Sequence, residues 1–245
     1  MEIAPFRGLR YALQEIGETA ENVTAPPYDV ISPEEHRRLL DRSPYNLTRL
    51  TLGVEPGSAS SYDERGERLR EWVSAGALRA EEEPALYVNA VDYASPASGR
   101  RSRLLGLVAL GRLSPFEERI VLAHERTFPR VVDDRERLLR ATRANLESIL
   151  LLYSDPEGTV DRLLEEAARA EPLIRVEAKP GEHHALHAIR DPRGVARLVE
   201  LFRAQRPIIA DGHHRYTTSL RFAEAHGEAR SGGSSLPGAD WRLMT

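Results

Sequence analysis

The chain has 245 residues, enough to bury a substantial core in one large or two small domains, and its 41% hydrophobic and 29% charged content is globular rather than disordered. A net charge of −4 argues against duplex nucleic acid as the main partner, because binding phosphates calls for a basic surplus. Cysteine is absent, which excludes disulfides, thiolate nucleophiles and cysteine-based zinc sites. Lysine occurs once, at Lys179 before Pro180, which excludes a lysine-bearing Walker loop.

The first residues, Met1 to Phe6, show no basic stretch followed by an apolar one. The apolar runs Leu104–Leu110 and Ile149–Tyr153 are too short to span a bilayer, so a cytoplasmic protein is expected. Residues 1–31 read as an extended lead, turned by Pro26-Pro27 before Tyr28-Asp29-Val30-Ile31. Ser32-Pro33-Glu34-Glu35 then signals a capped helix start, and a second helix is expected from Tyr62 to Ala75, stopping at Gly76. Alternation over Ala85–Tyr93 and Arg103–Leu113, joined by Ser95-Pro96-Ala97-Ser98-Gly99, predicts a hairpin. A third strand is expected at Arg119–Ala123, leading into His124-Glu125-Arg126-Thr127. A long amphipathic helix follows, capped by Asp133 or Asp134, with Leu138, Leu139, Thr142 and Leu146 on one side.

From there strand and helix alternate: strand Ile149–Tyr153, helix Thr159–Ala170, strands Leu173–Ala178 and His184–Ile189, helix Pro192–Ala204, strand Pro207–Ala210, and a helix closing near Gly227. Residues 228–240 read as a loop, and Trp241 to Thr245 as a strand cut short, so a truncated C-terminus is expected. The pattern predicts an α+β (α/β) fold, a mixed sheet with packed helices.

The most informative stretch is Arg206-Pro207-Ile208-Ile209-Ala210-Asp211-Gly212-His213-His214-Arg215-Tyr216. A short strand runs through glycine into a helix, which presents unpaired backbone N–H groups to an anion. His213, His214 and Arg215 crowd protonatable groups where the helix dipole is already positive, a placement that an anion would relieve. Arg215 suits a bidentate phosphate contact. Asp211 is either a helix cap, a magnesium ligand or a proton acceptor, and both histidines have the alternative of ordinary packing.

Ile209 to Tyr216 resembles the signature of the family known as domain of unknown function 1015. Ala25-Pro26-Pro27-Tyr28-Asp29-Val30-Ile31, His124-Glu125-Arg126-Thr127 and Asp134-Arg135 through Asn145 resemble other parts of that family, in the right order. The Asp-Gly-His-His-Arg turn is in turn similar to that of the ParB/sulfiredoxin-like fold, whose helix N-terminus cradles nucleotide phosphates, and most of all to kinases of free serine. The resemblance implies that residues 1–60 and 191–245 build a ParB-like core around residues 61–190 as an inserted α/β region. It further implies an ATP- or ADP-dependent kinase of a small hydroxyl metabolite such as L-serine, working with magnesium. Gly212, His213, His214, Arg215 and Arg126 would hold the nucleotide, Asp211 the metal, and Asp29, Glu125 or Asp211 would act as base. Sulfiredoxin chemistry is excluded by the missing cysteine. The chain departs from the family pattern where a lysine is usual, at Arg130, and at Glu147-Ser148, where Ser-Pro is usual.

The remaining clusters have plainer readings. Glu125 and Arg126 serve equally as a loop salt bridge, and Asp29 as a turn residue. His183, His184 and His187 point to alternating sides of a strand and read as surface residues. Arg135, Arg137, Arg140 and Arg143 read as a solvated helix face, with Glu136 pairing to Arg140. The alternative to a kinase is a nucleotide-gated binding module without transfer activity; metal-dependent hydrolysis by the histidines ranks last.

Overall fold

A computed structural model describes residues 1–54, 61–226 and 238–245. The expected extended lead is instead a string of short elements: β1 (Ile3–Ala4), β2 (Leu9–Tyr11), α1 (Leu13–Ile16), α2 (Ala20–Val23) and a 3-10 turn at Tyr28–Val30. Pieces this short carry no periodic signal, and remote partners hold the strands in place. β1 pairs with Leu110 and Gly111, and β2 with residues 78–80. α3 (Pro33–Arg42) follows with the expected cap, Ser32 Oγ accepting from the Glu35 N–H at 3.1 Å. α4 (Thr48–Thr51) and α5 (Tyr62–Ser74) complete a helical layer over β3 (Leu78–Ala80).

The predicted hairpin is present as β4 (Leu86–Ala94) and β5 (Arg101–Arg112), in register from Tyr87↔Val108 to Ala94↔Arg101. α6 (Pro129–Thr142), β6 (Leu150–Leu152), α7 (Thr159–Ala167), β7 (Ile174–Lys179), β8 (Glu182–Ile189), α8 (Pro192–Arg203), β9 (Ile208–Asp211), α9 (His213–His226) and β10 (Trp241–Met244) follow. Gly227 and residues 228–237, where a helix end and a loop were expected, lie outside the described residues. The fold is α+β, as the sequence predicts.

The sheet runs β7, β8, β4, β5, all antiparallel. β1 and β10 both pair with Leu110 and Gly111, so they take opposite edges of β5. β10 then carries the sheet onward: Ile149 and Leu151 donate to the carbonyls of Leu243 (3.1 Å) and Thr245 (2.8 Å), tying the antiparallel β6–β9 pair to it.

α7 and α8 pack on one face, enclosing Leu86, Val88, Leu107, Ile189, Leu164, Leu198 and Phe202. Each large apolar side chain buried here contributes about 1.5–3 kcal/mol. A second cluster, Leu50, Leu69, Trp72, Ala77 and Leu78, forms beneath α4 and α5. Each cluster draws on residues from either side of an expected domain boundary, Met1 with Val88 and Ile209 in the first, Leu50 with Leu69 in the second. The expected segments are therefore interleaved in packing.

Two local expectations fail for physical reasons. Arg119–Ala123 is not a strand: it makes one parallel bridge, Leu122↔Ile208, because Arg119 takes a left-handed φ of 55° and turns the chain there. α6 begins at Pro129 rather than after Asp133 or Asp134, because proline fits the first helical turn without needing its N–H. Both aspartates sit inside the helix and reach neighbours, Asp133 to Arg221 (3.0 Å) and Asp134 to the Tyr62 hydroxyl (2.5 Å). α5 meets α6 at Gly66, where a Cβ would collide with the Ala141 carbonyl oxygen, so the contact requires glycine.

Candidate functional site

β9 is positioned by its ladder to β6, Leu151↔Ile209 and Leu152↔Ile208, and by Ile209 N–H donating to Leu122 O at 2.8 Å. It ends at Gly212, whose φ of +97° sends the chain directly into α9; a Cβ there would also press on Arg215 Nε at 3.1 Å. α9 is anchored by Tyr216, which is fully buried. Its hydroxyl donates to the Ser114 carbonyl at 2.9 Å and accepts the Ser114 N–H at 3.1 Å, and its ring lies 5.2 Å from that of Phe116. The first helical bond is Tyr216 N–H to Gly212 O, at 2.9 Å. The amides of His213, His214 and Arg215 precede it and lie outside the helical ladder, as the first turn of any helix dictates.

The charge expected to crowd this turn is dissipated by neighbours. His213 is buried, its Nε2 accepts the His124 N–H (3.4 Å), and its Nδ1 faces Glu125 Oε2 at 3.4 Å. Burial, with His124 alongside, holds His213 below the usual imidazole range and so disfavours its charged form. His214 Nε2 accepts the Phe128 N–H at 3.0 Å while its ring stacks on Phe128, so that nitrogen carries no proton. Arg215 folds back onto Asp211 Oδ2 and the Ser148 carbonyl, with Glu147 Oε2 4.0 Å away. The cations of the turn therefore already have partners within the chain, supplied by Asp211, Glu125 and the Ser148 carbonyl.

Guanidinium groups with unpartnered nitrogens lie close behind the turn. Arg135, Arg215 and Arg242 line a cavity of about 30 Å³ together with Glu147, Thr218 and apolar side chains. Arg242, on β10, donates to Asn145 Oδ1 and to the Glu147 carbonyl (3.0 Å), yet its Nε has no partner. Burial, reinforced by Arg215, depresses its pKa to about 10. Arg135 pairs with Asp134 and lies 4.1 Å over the Tyr28 ring, and its Nη1 has no partner. Glu147 accepts the Tyr28 N–H at 3.4 Å; burial raises its pKa against the opposing pull of Arg215 and Arg135.

The four family-like segments thus converge. Tyr28 reaches Glu147, Arg135 and Asn145 belong to the segment that includes α6, Glu125 touches His213, and Arg215 joins the two sides. Asp29, Glu125 and Asp211 are exposed. Arg126 and Arg130 are exposed and make no hydrogen bond or ion pair among the described residues. Sequence reasoning missed Arg242 and Glu147, and it placed Arg135 on a solvated face, whereas Arg135 is only 8% exposed. A carboxylate-side clue existed, since Glu147 stands where the chain departs from the family pattern. Arg137, Arg140 and Arg143 are exposed as expected, with Arg140 on Glu136 at 2.6 Å. His187 is not a surface residue: it is buried, and its Nδ1 donates to Ala170 O at 2.9 Å. Among the described residues no group of three histidine and acidic side chains is disposed to hold a metal, and no helix is long and apolar enough to cross a membrane.

The family described as "Protein of unknown function (DUF1015)" matches residues 3–245, and the chain belongs to it. No curated protein and no solved structure matches the chain.

Proposed function

We propose that the protein is a nucleotide-dependent phosphotransferase, an ATP- or ADP-dependent kinase of a small hydroxyl compound, with free L-serine the leading acceptor. The observation that carries this reading is the meeting of Glu125 and Arg215 at the first turn of α9, where backbone N–H groups follow a glycine of positive φ, with Tyr28 and Arg135 stacked beside Glu147 next to Arg215. Phosphoryl transfer depends chiefly on positioning and charge neutralisation, and these residue types suit both.

The donor set fits an anionic group, because two buried guanidinium N–H groups beside the turn lack partners. A bound magnesium nucleotide supplies the transferable phosphoryl group. The first-turn amides and Arg215 would hold its phosphates, with Arg126 free to approach from the rim. Asp211 would meet the metal, which would neutralise phosphate charge there. Asp29, Glu125 and Asp211 are the carboxylates open to an incoming hydroxyl, and one of them takes its proton; His213 holds Glu125 in place.

The test is incubation with ATP or ADP, magnesium and a panel of hydroxyl compounds, read by mass spectrometry. Phosphoserine, or another phosphorylated product, is expected, and Arg215→Ala should abolish it. No product from any nucleotide and acceptor overturns the reading. One observation favours a second reading, a nucleotide-gated module: Arg215 is held by Asp211 and must change partner to meet a ligand. That reading expects nucleotide-dependent thermal stabilisation without product.

A further inference from the structure

We infer that the cavity that Arg135, Arg215, Arg242 and Glu147 help to line is an oxyanion site, built to take a phosphoryl-type group behind the α9 turn. The inference rests on reading that turn as a phosphate site and adds what lies beneath it. Arg135 and Arg242 are 8% and 6% exposed, so their charges are removed from water. Unpaired guanidinium N–H groups at that depth cost free energy unless something accepts from them. Arg135 Nη1 and Arg242 Nε are two such groups, on side chains that line the same cavity.

The charge count points the same way. Three arginines and one carboxylate line the cavity. Asp134 and Asp211 balance Arg135 and Arg215 from the solvent side, where they are 40% and 58% exposed. Arg242 has no carboxylate of its own; its hydrogen-bond partners are an amide oxygen and a carbonyl. Glu147, 4.0 Å from Arg215, is too distant for a strong ion pair. A cavity of about 30 Å³ exceeds the roughly 10–15 Å³ that one water needs, so the space beside these arginines admits an acceptor. Arg135 and Arg242 come from α6 and β10, far apart in sequence, so their meeting is a product of the fold and not of local composition.

Phosphoryl oxygens can come from free inorganic phosphate or from the end of a nucleotide. The experiment is calorimetric titration of the protein with inorganic phosphate at fixed ionic strength, with chloride as the control. Saturable phosphate binding is expected, with none for chloride. Arg135→Gln should weaken it at least tenfold, and Glu147→Gln should tighten it severalfold by removing the one negative charge from the wall. The second variant keeps the test decisive if the first fails to fold. Repeating the titration with ATP already bound names the source: competition assigns the site to the nucleotide's terminal phosphate, and simultaneous binding assigns it to free phosphate. Phosphate binding that is absent, or unchanged by both substitutions, overturns the site and leaves water as its occupant. Nucleotide turnover in that case would still uphold the kinase reading.

Discussion

The outer surface of the α9 turn and the pocket behind it hold the same kinds of side chain under opposite conditions. Outside, Arg215 has Asp211 and His213 has Glu125, and the carboxylates are more than half exposed. Inside, Arg242 has an amide and a carbonyl, and Arg135 and Arg242 each keep an unpartnered N–H. The difference shows that a run of basic residues at a helix start is not itself a measure of uncompensated charge. Partners supplied by remote segments decide where the surplus ends up, and here it ends up buried.

The largest effect should come from detaching the helix that both regions share. Tyr216→Phe leaves the Ser114 N–H and carbonyl unsatisfied in the interior and should cost about 3 kcal/mol in denaturant unfolding. A cost near zero would mean that α9 is held by other contacts. Next comes the turn itself: Gly212→Ala forces a side chain into positive φ and against Arg215, with an expected loss of about 2 kcal/mol and weakened ligand binding. On the exposed side, Asp211→Asn removes a solvent-accessible ion pair and should change stability by less than about 1 kcal/mol. Phosphate affinity should nonetheless rise as Arg215 is released; unchanged affinity would separate the turn from the pocket.

The smallest effect is a pH dependence. His213 faces His124, Glu125, Asp211 and His214, and burial holds its folded pKa below the ordinary imidazole value of about 6.5. As pH falls through that value the unfolded chain takes up a proton that the folded ring resists, so stability is full above it and declines below it. His36, buried on the Gly53 carbonyl, adds the same sign. Thermal melts from pH 7.5 to 5.5 should show the decline, and His213→Gln should flatten it; an identical slope in the variant would assign it elsewhere.

The elements with strong periodicity were legible from the sequence: the β4–β5 hairpin, the Ser32 cap, the alternating second half, and the strand–glycine–helix turn. What was not legible depends on distance. β1, β2 and the bridge at Leu122 exist through pairing with residues far along the chain, and so carry no local pattern. The site was half visible for the same reason. Arg215 and Gly212 stand in a readable motif, whereas Arg242 lies in a four-residue strand and Arg135 reads as one arginine among several on a helix. Only the packing of α6 against α9 and the pairing of β10 to β5 bring those two cations to one cavity.

The most direct measurement is a backbone amide spectrum of ¹⁵N-labelled protein titrated with magnesium ATP. If nucleotide phosphates sit at the start of α9, the N–H signals of Gly212 through Arg215 should move first and furthest, and Arg215→Ala should remove the effect. Shifts confined to other parts of the chain, or none at saturating nucleotide, would contradict a phosphate site at this turn.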